Sequence, residues 1–188
     1  MAQEVREIDG ISIPPAGKYE LDASHTEVGF AARHMLTKVR GRFTEFEGTI
    51  EVGDSPEESQ VDVEIKTGSV QTNFEQRDAH LRSADFFDVD EHPVMTFRST
   101  AIRHTGGAEF ELDGDLTIRD VTNPVTLRGR FLGWGKDPYD NTIFSAEASA
   151  KVEREDWDLT WNMPVETGGF LVSKEIDLMI DLEARKVG

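Results

Sequence analysis

Three groups of side chains in this chain have the types and spacing to do chemistry. The first is the histidines: His25, His34, His80, His92 and His104. None falls in an HExxH or comparable metal-binding spacing. His25 and His34 are nine residues apart, so on an unbroken strand they face opposite ways and no metal site is expected. The second group is Arg77-Asp78-Ala79-His80. Asp78 and His80 stand two apart, which on a helix turns them away from each other. The plainer role for Arg77, Asp78 and His80 is to anchor a helix by hydrogen bonds; a general acid–base pair is the sharper one. The third group is basic. Arg33, Lys38, Arg40 and Arg42 fall within ten residues that contain no acid. Lys38, Arg40 and Arg42 are spaced by two and share one strand face. They read either as an exterior row paired with acids or, with His34, as a mouth for an anionic headgroup.

Other chemistry is excluded. The chain has no cysteine, which removes disulfides, thiol catalysis and thiolate metal sites. There is no GxSxG elbow, P-loop or Rossmann fingerprint. Asp137-Pro138-Tyr139-Asp140-Asn141 lacks the full pattern of a calcium loop and reads as a turn. No catalytic residue is assigned.

The elements that must position these groups are nearly all strands. In 142–152, Phe144, Ala146, Ala148 and Ala150 alternate with Ser145, Glu147, Ser149 and Lys151. A period of two marks a strand with one dry and one wet face. The pattern recurs. The expected dry rows carry Val28, Phe30 and Ala32, then Phe46 and Ile50, then Val63. Met95, Phe97, Ser99 and Ala101 form another, followed by Leu116, then Leu127, Gly129 and Phe131, and finally Leu178 and Ile180. The period breaks once. Thr72 followed by Glu75 looks like a capping box, and residues 73–84 are the strong helix candidate. Residues 1–16 are polar, end in Pro14-Pro15 and read as an N-terminal tail or linker; 17–188 form one β domain. About eight strands with polar outer faces and one short helix predict an all-β, antiparallel eight-stranded barrel, with a sandwich as the alternative. Eight strands is the size at which the interior is either filled by side chains or left open for one small ligand. The small residues on the dry rows fit both: they interlock with the phenylalanines, or they leave a lumen, which would have to take an apolar ligand.

Composition narrows the partners. The chain has 188 residues, enough for one domain with a real core. Its formal net charge of −17 argues against nucleic acid and against broad adsorption to anionic lipid. The first residues lack the basic start and apolar run of a secretory signal, and no stretch approaches a spanning helix. On this reading the chain is cytoplasmic if it begins at its natural start, and secreted or periplasmic if a signal has been removed.

A set of motifs, in order, resembles the YceI-like family. It opens with Tyr19-Glu20-Leu21-Asp22-Ala23-Ser24-His25-Thr26-Glu27-Val28-Gly29-Phe30, His34 and Gly41-Arg42-Phe43. It continues with Arg77-Asp78-Ala79-His80-Leu81, Asp85-Phe86-Phe87, His92-Pro93 and Phe97. Gly114-Asp115-Leu116-Thr117-Ile118, Thr122-Asn123-Pro124-Val125, Asp158-Leu159-Thr160-Trp161-Asn162 and Gly168-Gly169 complete it. The resemblance covers about residues 17–184. It implies an extended lipocalin-like barrel whose apolar lumen binds long polyisoprenoid lipids, and it implies dimers; the family supplies no established reaction. The chain departs from the family in having no visible signal and in carrying Trp157 where phenylalanine is common. The resulting expectation is non-catalytic binding, storage or transport of an isoprenoid lipid, polyprenyl or quinone, with no cofactor besides the lipid. The alternative is an enzyme acting on a small apolar substrate, with His34 or Asp78/His80 as acid–base.

Overall fold

The computed structural model describes residues 6–188. Its centre is an antiparallel barrel of eight staves, two of which bend at a break and count as two strands each. The first stave is β3 (Gly17–Leu21) and β4 (Glu27–His34), and the second is β5 (Thr37–Phe43) and β6 (Phe46–Val52). The third is β7 (Gln60–Lys66), with the short β8 (Val70–Gln71) continuing the pairing against β5. Helix α1 (Glu75–Arg82) follows, then β9 (Val94–Gly106), β10 (Glu109–Ile118), β11 (Val121–Lys136), β12 (Thr142–Glu153) and β13 (Val172–Lys186). Neighbouring staves pair in chain order, and β13 closes the ring by pairing with β12 on one side and with β3 and β4 on the other. Closure removes free sheet edges. Among the described residues, no helix is long and apolar enough to cross a membrane.

The break in the first stave has a local cause. Asp22 Oδ1 accepts hydrogen bonds from Ser24 N at 2.9 Å and Ser24 Oγ at 2.5 Å, folding the chain into a turn that aspartate favours. Thr26 then repairs the ladder across the gap. Its Oγ1 donates to Glu183 O at 3.2 Å and accepts from Glu183 N at 3.1 Å.

Register shifts interrupt several ladders, and two of them bear on the inside–outside phase of the wall. On β9, Ser99 pairs with Gly114 and Ala101 with Asp113, so Thr100 is an extra residue. Ala101, expected on the dry row, is therefore exposed, and Ile102 and His104 face the interior instead. On β11, Phe131 pairs with Ala146 and Gly133 with Ser145, which turns Leu132 out to solvent.

The expected N-terminal tail is a correction. Residues 1–5 lie outside the described residues, but β1 (Arg6–Ile8) and β2 (Ile11–Ile13) form a hairpin. Asp9 and Gly10 connect them with φ of 49° and 75°, the doubly positive pair that a tight hairpin turn requires. Arg6 secures the hairpin to the barrel: Nη1 donates to Pro14 O at 3.0 Å, and Nη2 to Gly53 O at 2.6 Å and Asp54 O at 2.7 Å. Trp134 Nε1 donates to Ser12 Oγ at 2.9 Å. One end of the barrel is thus the hairpin end; α1 and the 154–171 segment occupy the other.

The helix lies within the expected range, but the capping box does not form. Phe74 is the N-cap and makes no side-chain capping bond. Asp78, at the end of the first turn, reaches back instead and accepts from Thr72 N at 2.8 Å and Thr72 Oγ1 at 2.5 Å. At the hairpin end, Tyr19, Ile50, Phe144 and Ala184 form a dense satellite core. Tyr19 is completely buried, its hydroxyl donates to Pro15 O at 2.8 Å, and burial pushes its pKa up to about 12.

Candidate functional site: an apolar chamber in the barrel

The barrel is hollow. A cavity of about 880 Å³ runs through it, within the usual size of small-molecule sites. Val28, Phe30 and Ala32 on β4, Val63 on β7, Phe97 on β9, Leu116 on β10, Phe144, Ala146 and Ala148 on β12, and Leu178 and Ile180 on β13 lie on its wall as expected, as do Ile50 on β6 and Leu127 and Phe131 on β11; Ser99, Ala101 and Ala150 do not. The wall is nearly all apolar. Two further expected positions are corrections. Phe46 pairs with Ile65 and packs against the main core without reaching the cavity. Gly129 is covered: a Cβ there would stand 2.2 Å from Cζ of Phe110, its partner on β10.

That covering explains how a barrel with many phenylalanines stays open. Phe30 lies over Gly41 and Phe97 over Gly114 in the same way. Each glycine lets a ring lie down across the neighbouring backbone instead of standing into the lumen. The interlocked and hollow readings of the small residues are therefore both partly realised. Glycines receive rings, while Ala32, Ala146 and Ala148 face open space on the cavity wall.

Sequence reasoning missed part of the wall. Ile8, Ile11 and Ile13 of the hairpin close one end, and Phe74, Phe86, Phe87, Trp157 and Trp161 contribute at the other. The Asp-Gly turn between Ile8 and Ile11 was the readable signal for the first group. The second lies in turns, where no periodicity exists to follow.

The polar groups expected to matter fall in three places. His34 ends β4, pairs with Val172 and lines the cavity. Lys38, Arg40 and Arg42 do not join it, which corrects the headgroup-mouth expectation. They alternate with inward Val39 and Phe43, so they point out from the barrel wall. Lys38 Nζ bonds Asp177 Oδ2 at 2.7 Å, and Arg42 Nη2 donates to Gln71 Oε1 at 3.1 Å. The anchor group behaves as hydrogen bonding predicts. Asp78 is buried and holds Thr72, while Arg77 donates from Nε to Thr72 Oγ1 at 2.7 Å and from Nη2 to Thr72 O at 2.9 Å. His80 has a different partner, Asp85, with Nε2 2.8 Å from Oδ2, and its ring meets Trp161 edge-on at 4.5 Å. Asp78 and His80 are thus not brought together as a pair.

Two cations on the cavity wall were passed over by sequence reasoning, Arg6 at the hairpin end and Arg154 at the other. Arg154 directly follows β12 in the acidic run Glu153-Arg154-Glu155-Asp156. It is 4% exposed and lies on the cavity wall. Burial pushes its pKa below the ordinary arginine value.

On the outer surface, Asp22, His25 and Glu183 bring three possible ligand atoms within 4.8 Å of one another. His25 Nδ1 is 3.1 Å from Asp22 Oδ2 and 3.6 Å from Glu183 Oε1. The two carboxylates, the Asp22 hydrogen bond foremost, hold the His25 pKa above its ordinary value. Hydrogen bonds from Ser24 and then His25 hold Asp22 down at about 2. This trio, with His25 exposed and both carboxylates half-buried, sits at the strand break. Cross-strand ladders cover much of the remaining exterior, such as Arg103 with Glu111 and Asp113, and Lys151 with Glu175.

Known proteins share this architecture. A family model described as YceI-like domain matches residues 19–184. A UPF0312 protein of Azotobacter vinelandii is 36% identical over 172 residues, which are 89% of this chain and 86% of that protein. The crystal structure of Burkholderia cenocepacia BcnA superposes with a TM-score of 0.75 at 20% identity, covering 87% of this chain and 98% of that one. A polyisoprenoid binding domain from Saccharophagus degradans superposes with a TM-score of 0.69 at 12% identity, covering 92% and 100%. With the closed barrel and the match over most of its length, the chain belongs to the YceI-like family.

Proposed function

We propose that this protein binds one long isoprenoid lipid in the barrel lumen and acts as its carrier or store, without transforming it and without a further cofactor. The observation that carries the reading is the cavity: about 880 Å³, walled by apolar side chains from all eight staves. The cavity-lining stretch of β12, Phe144 to Val152, rises roughly 27 Å at ~3.4 Å per residue, or roughly 20 Å along the axis at a barrel tilt of ~40°, so the lumen takes several isoprene units end to end. Burying one five-carbon isoprene unit contributes roughly 3–4 kcal/mol at ~0.8 kcal/mol per methylene-sized group. Several units in a row outweigh the several kcal/mol lost in ordering the ligand. The structurally similar Saccharophagus degradans domain, described as polyisoprenoid binding, is consistent with this class of ligand.

Organic extraction of the protein purified from its native host, followed by mass spectrometry, tests the proposal. An intact isoprenoid near one equivalent per chain is expected. A water-soluble ligand, or conversion of an added isoprenoid with time, would count against a non-catalytic lipid carrier.

A further inference from the structure

The tip of the helix end departs from the rest of the surface in both shape and charge. The hairpin joining β4 to β5 turns on Met35 and Leu36, between the paired His34 and Thr37. Met35 stands at φ 54°, a position that hairpin turns usually give to glycine, asparagine or aspartate. Apolar side chains occupy this turn instead, and they face water: Met35 is 51% exposed and Leu36 89%. Beside them the 163–171 loop lifts Met163 and Phe170, 51% and 61% exposed. The two projections are fixed to each other. Met35 N donates to Leu171 O at 2.9 Å, and Pro164 bridges to Phe170. Asn162 clamps the base of the loop, accepting from Val172 N at 3.0 Å and donating to Val172 O at 2.8 Å. His34, Leu171 and Val172, from the same two segments, line the chamber directly beneath.

The charge at this tip is opposite to that of the chain. Residues 31–43 and 162–174 hold five of the 20 lysines and arginines and one of the 37 acids, Glu166. Acids from elsewhere take two of the five, Asp177 pairing with Lys38 and Glu155 with Lys174. Arg42 donates to Gln71. Arg33 and Arg40 stay exposed on the outer wall, and among the described residues neither has a carboxylate oxygen within 4.0 Å. Clustered exposed apolar side chains mark an interaction surface, and here they are flanked by unpaired cations.

We propose that this tip docks on an anionic lipid bilayer. Leu36 and Phe170 enter the boundary between headgroups and acyl chains, and Arg33 and Arg40 meet lipid phosphates. The net charge of −17 opposes broad adsorption, so the cationic flank also sets the orientation in which the molecule approaches. Separate projecting side chains suit a fluid bilayer, which needs no complementary pocket to receive them. A second copy of the chain is the weaker occupant, because a two-fold contact would set Arg33 and Arg40 against their own counterparts. The docking rests on the outer surface and not on what the chamber holds. Combined with the carrier reading, it sets the helix end of the chamber against the membrane that supplies or receives the lipid.

Vesicle flotation tests the proposal, with the full chain and vesicles of phosphatidylcholine alone or mixed with phosphatidylglycerol. The wild type should bind the mixed vesicles roughly tenfold tighter than phosphatidylcholine alone, and the difference should shrink as salt rises. Leu36→Ser with Phe170→Ser, and separately Arg33→Gln with Arg40→Gln, should each weaken binding to mixed vesicles roughly tenfold or more. All four side chains are exposed, so the unfolding temperature should stay that of the wild type. Leu36→Trp gives a second readout: brominated acyl chains should quench the emission it adds to that of the wild type. Failure of the wild type to bind mixed vesicles overturns the proposal. So does binding that survives either pair of substitutions, or an added tryptophan that bromine leaves unquenched. Dimerisation that Leu36→Ser with Phe170→Ser abolishes, without vesicle binding, gives the face to a second copy instead. These failures leave the carrier reading standing, whereas organic extraction that yields no lipid, beside intact vesicle docking, removes the carrier reading alone.

Discussion

The two ends of the barrel are closed by different means. At the hairpin end the chain satisfies itself. Arg6 binds three carbonyls, Tyr19 is fully buried with its hydroxyl on Pro15, and Phe144 packs edge-on against it at 5.0 Å. At the helix end the closure is incomplete. Arg154 keeps an unmatched nitrogen, and the short helix is tied down by side chains, Asp78 and Arg77 on Thr72 and Arg82 on the carbonyls of Gly68 and Val70. The loops around it expose Met35, Leu36, Met163 and Phe170. They are held side by side, with Met35 N donating to Leu171 O and Leu171 N to Met163 O, each at 2.9 Å. For the carrier proposed above, the difference points to the helix end as the place of lipid exchange. A sealed end can be stable; an end that admits a ligand must leave some polar and apolar groups unsatisfied.

This contrast can be broken by substitution. The largest effect is expected from Asp78→Ala. It removes a buried acceptor and strands the amide and hydroxyl of Thr72, so urea unfolding should show a loss of roughly 2–4 kcal/mol. A loss under about 0.5 kcal/mol would mean that apolar packing alone holds the helix end, since buried hydrogen bonds of this kind are worth more. Next is Gly129→Ala, between the ends. The new methyl collides with the Phe110 ring and must push it into the lumen or the wall, costing roughly 1–3 kcal/mol. If the ring swings inward, a crystal structure of the variant will show a smaller chamber; an unchanged chamber and unchanged stability would refute the covering role of the ring.

Arg6→Ala should cost less, about 1 kcal/mol, because its bonds are partly solvated. Its signature is local: amide exchange in β1 and β2 should quicken while β12 and β13 stay protected. Uniform quickening would show that the hairpin end is not a separate closure.

The smallest effect concerns pH at the strand break. Asp22 is held at about 2 in the fold against an ordinary 3.8, so its contribution is present above the ordinary value and fades as pH falls toward 2. His25 is shifted upward from 6.5, so its contribution is present below that value and is lost as pH rises through the shifted pKa. The pair therefore supports the break best between these limits. An NMR titration should place His25 above 6.5 and return it toward 6.5 in Asp22→Asn. No upward shift in the wild type would remove the ion pair from the account.

Much of this was legible in the alternation of single strands. Phe144, Ala146 and Ala148 lie where a period of two puts them, because β12 pairs with β13 without a register shift. Periodicity failed where the backbone inserted a residue. Thr100 moved Ala101 outward and brought in Ile102 and His104, and no residue type announced that bulge. The basic row was read two ways, as an exterior row paired with acids or as a mouth, and the structure matches the first for Lys38. Alternation put Lys38, Arg40 and Arg42 on one face but could not say that the face was outside, since Asp177 comes from a strand far away in sequence. Arg154 was hidden by its neighbours: in a run of acids it reads as a surface residue, and only the carbonyls of Ser173, Leu159 and Trp161 draw it inward.

The central claim is that the lumen, and no other surface, holds the lipid. Ala148 tests it most directly, because it sits on the cavity wall between Gly129 and Ile180 in the cross-barrel row. Titration of a polyprenyl lipid into the wild type and into Ala148→Trp, with the unfolding temperature of each recorded, decides the matter. The account predicts one lipid per wild-type chain and little or none for a variant that still folds. Full binding by a folded Ala148→Trp would contradict it.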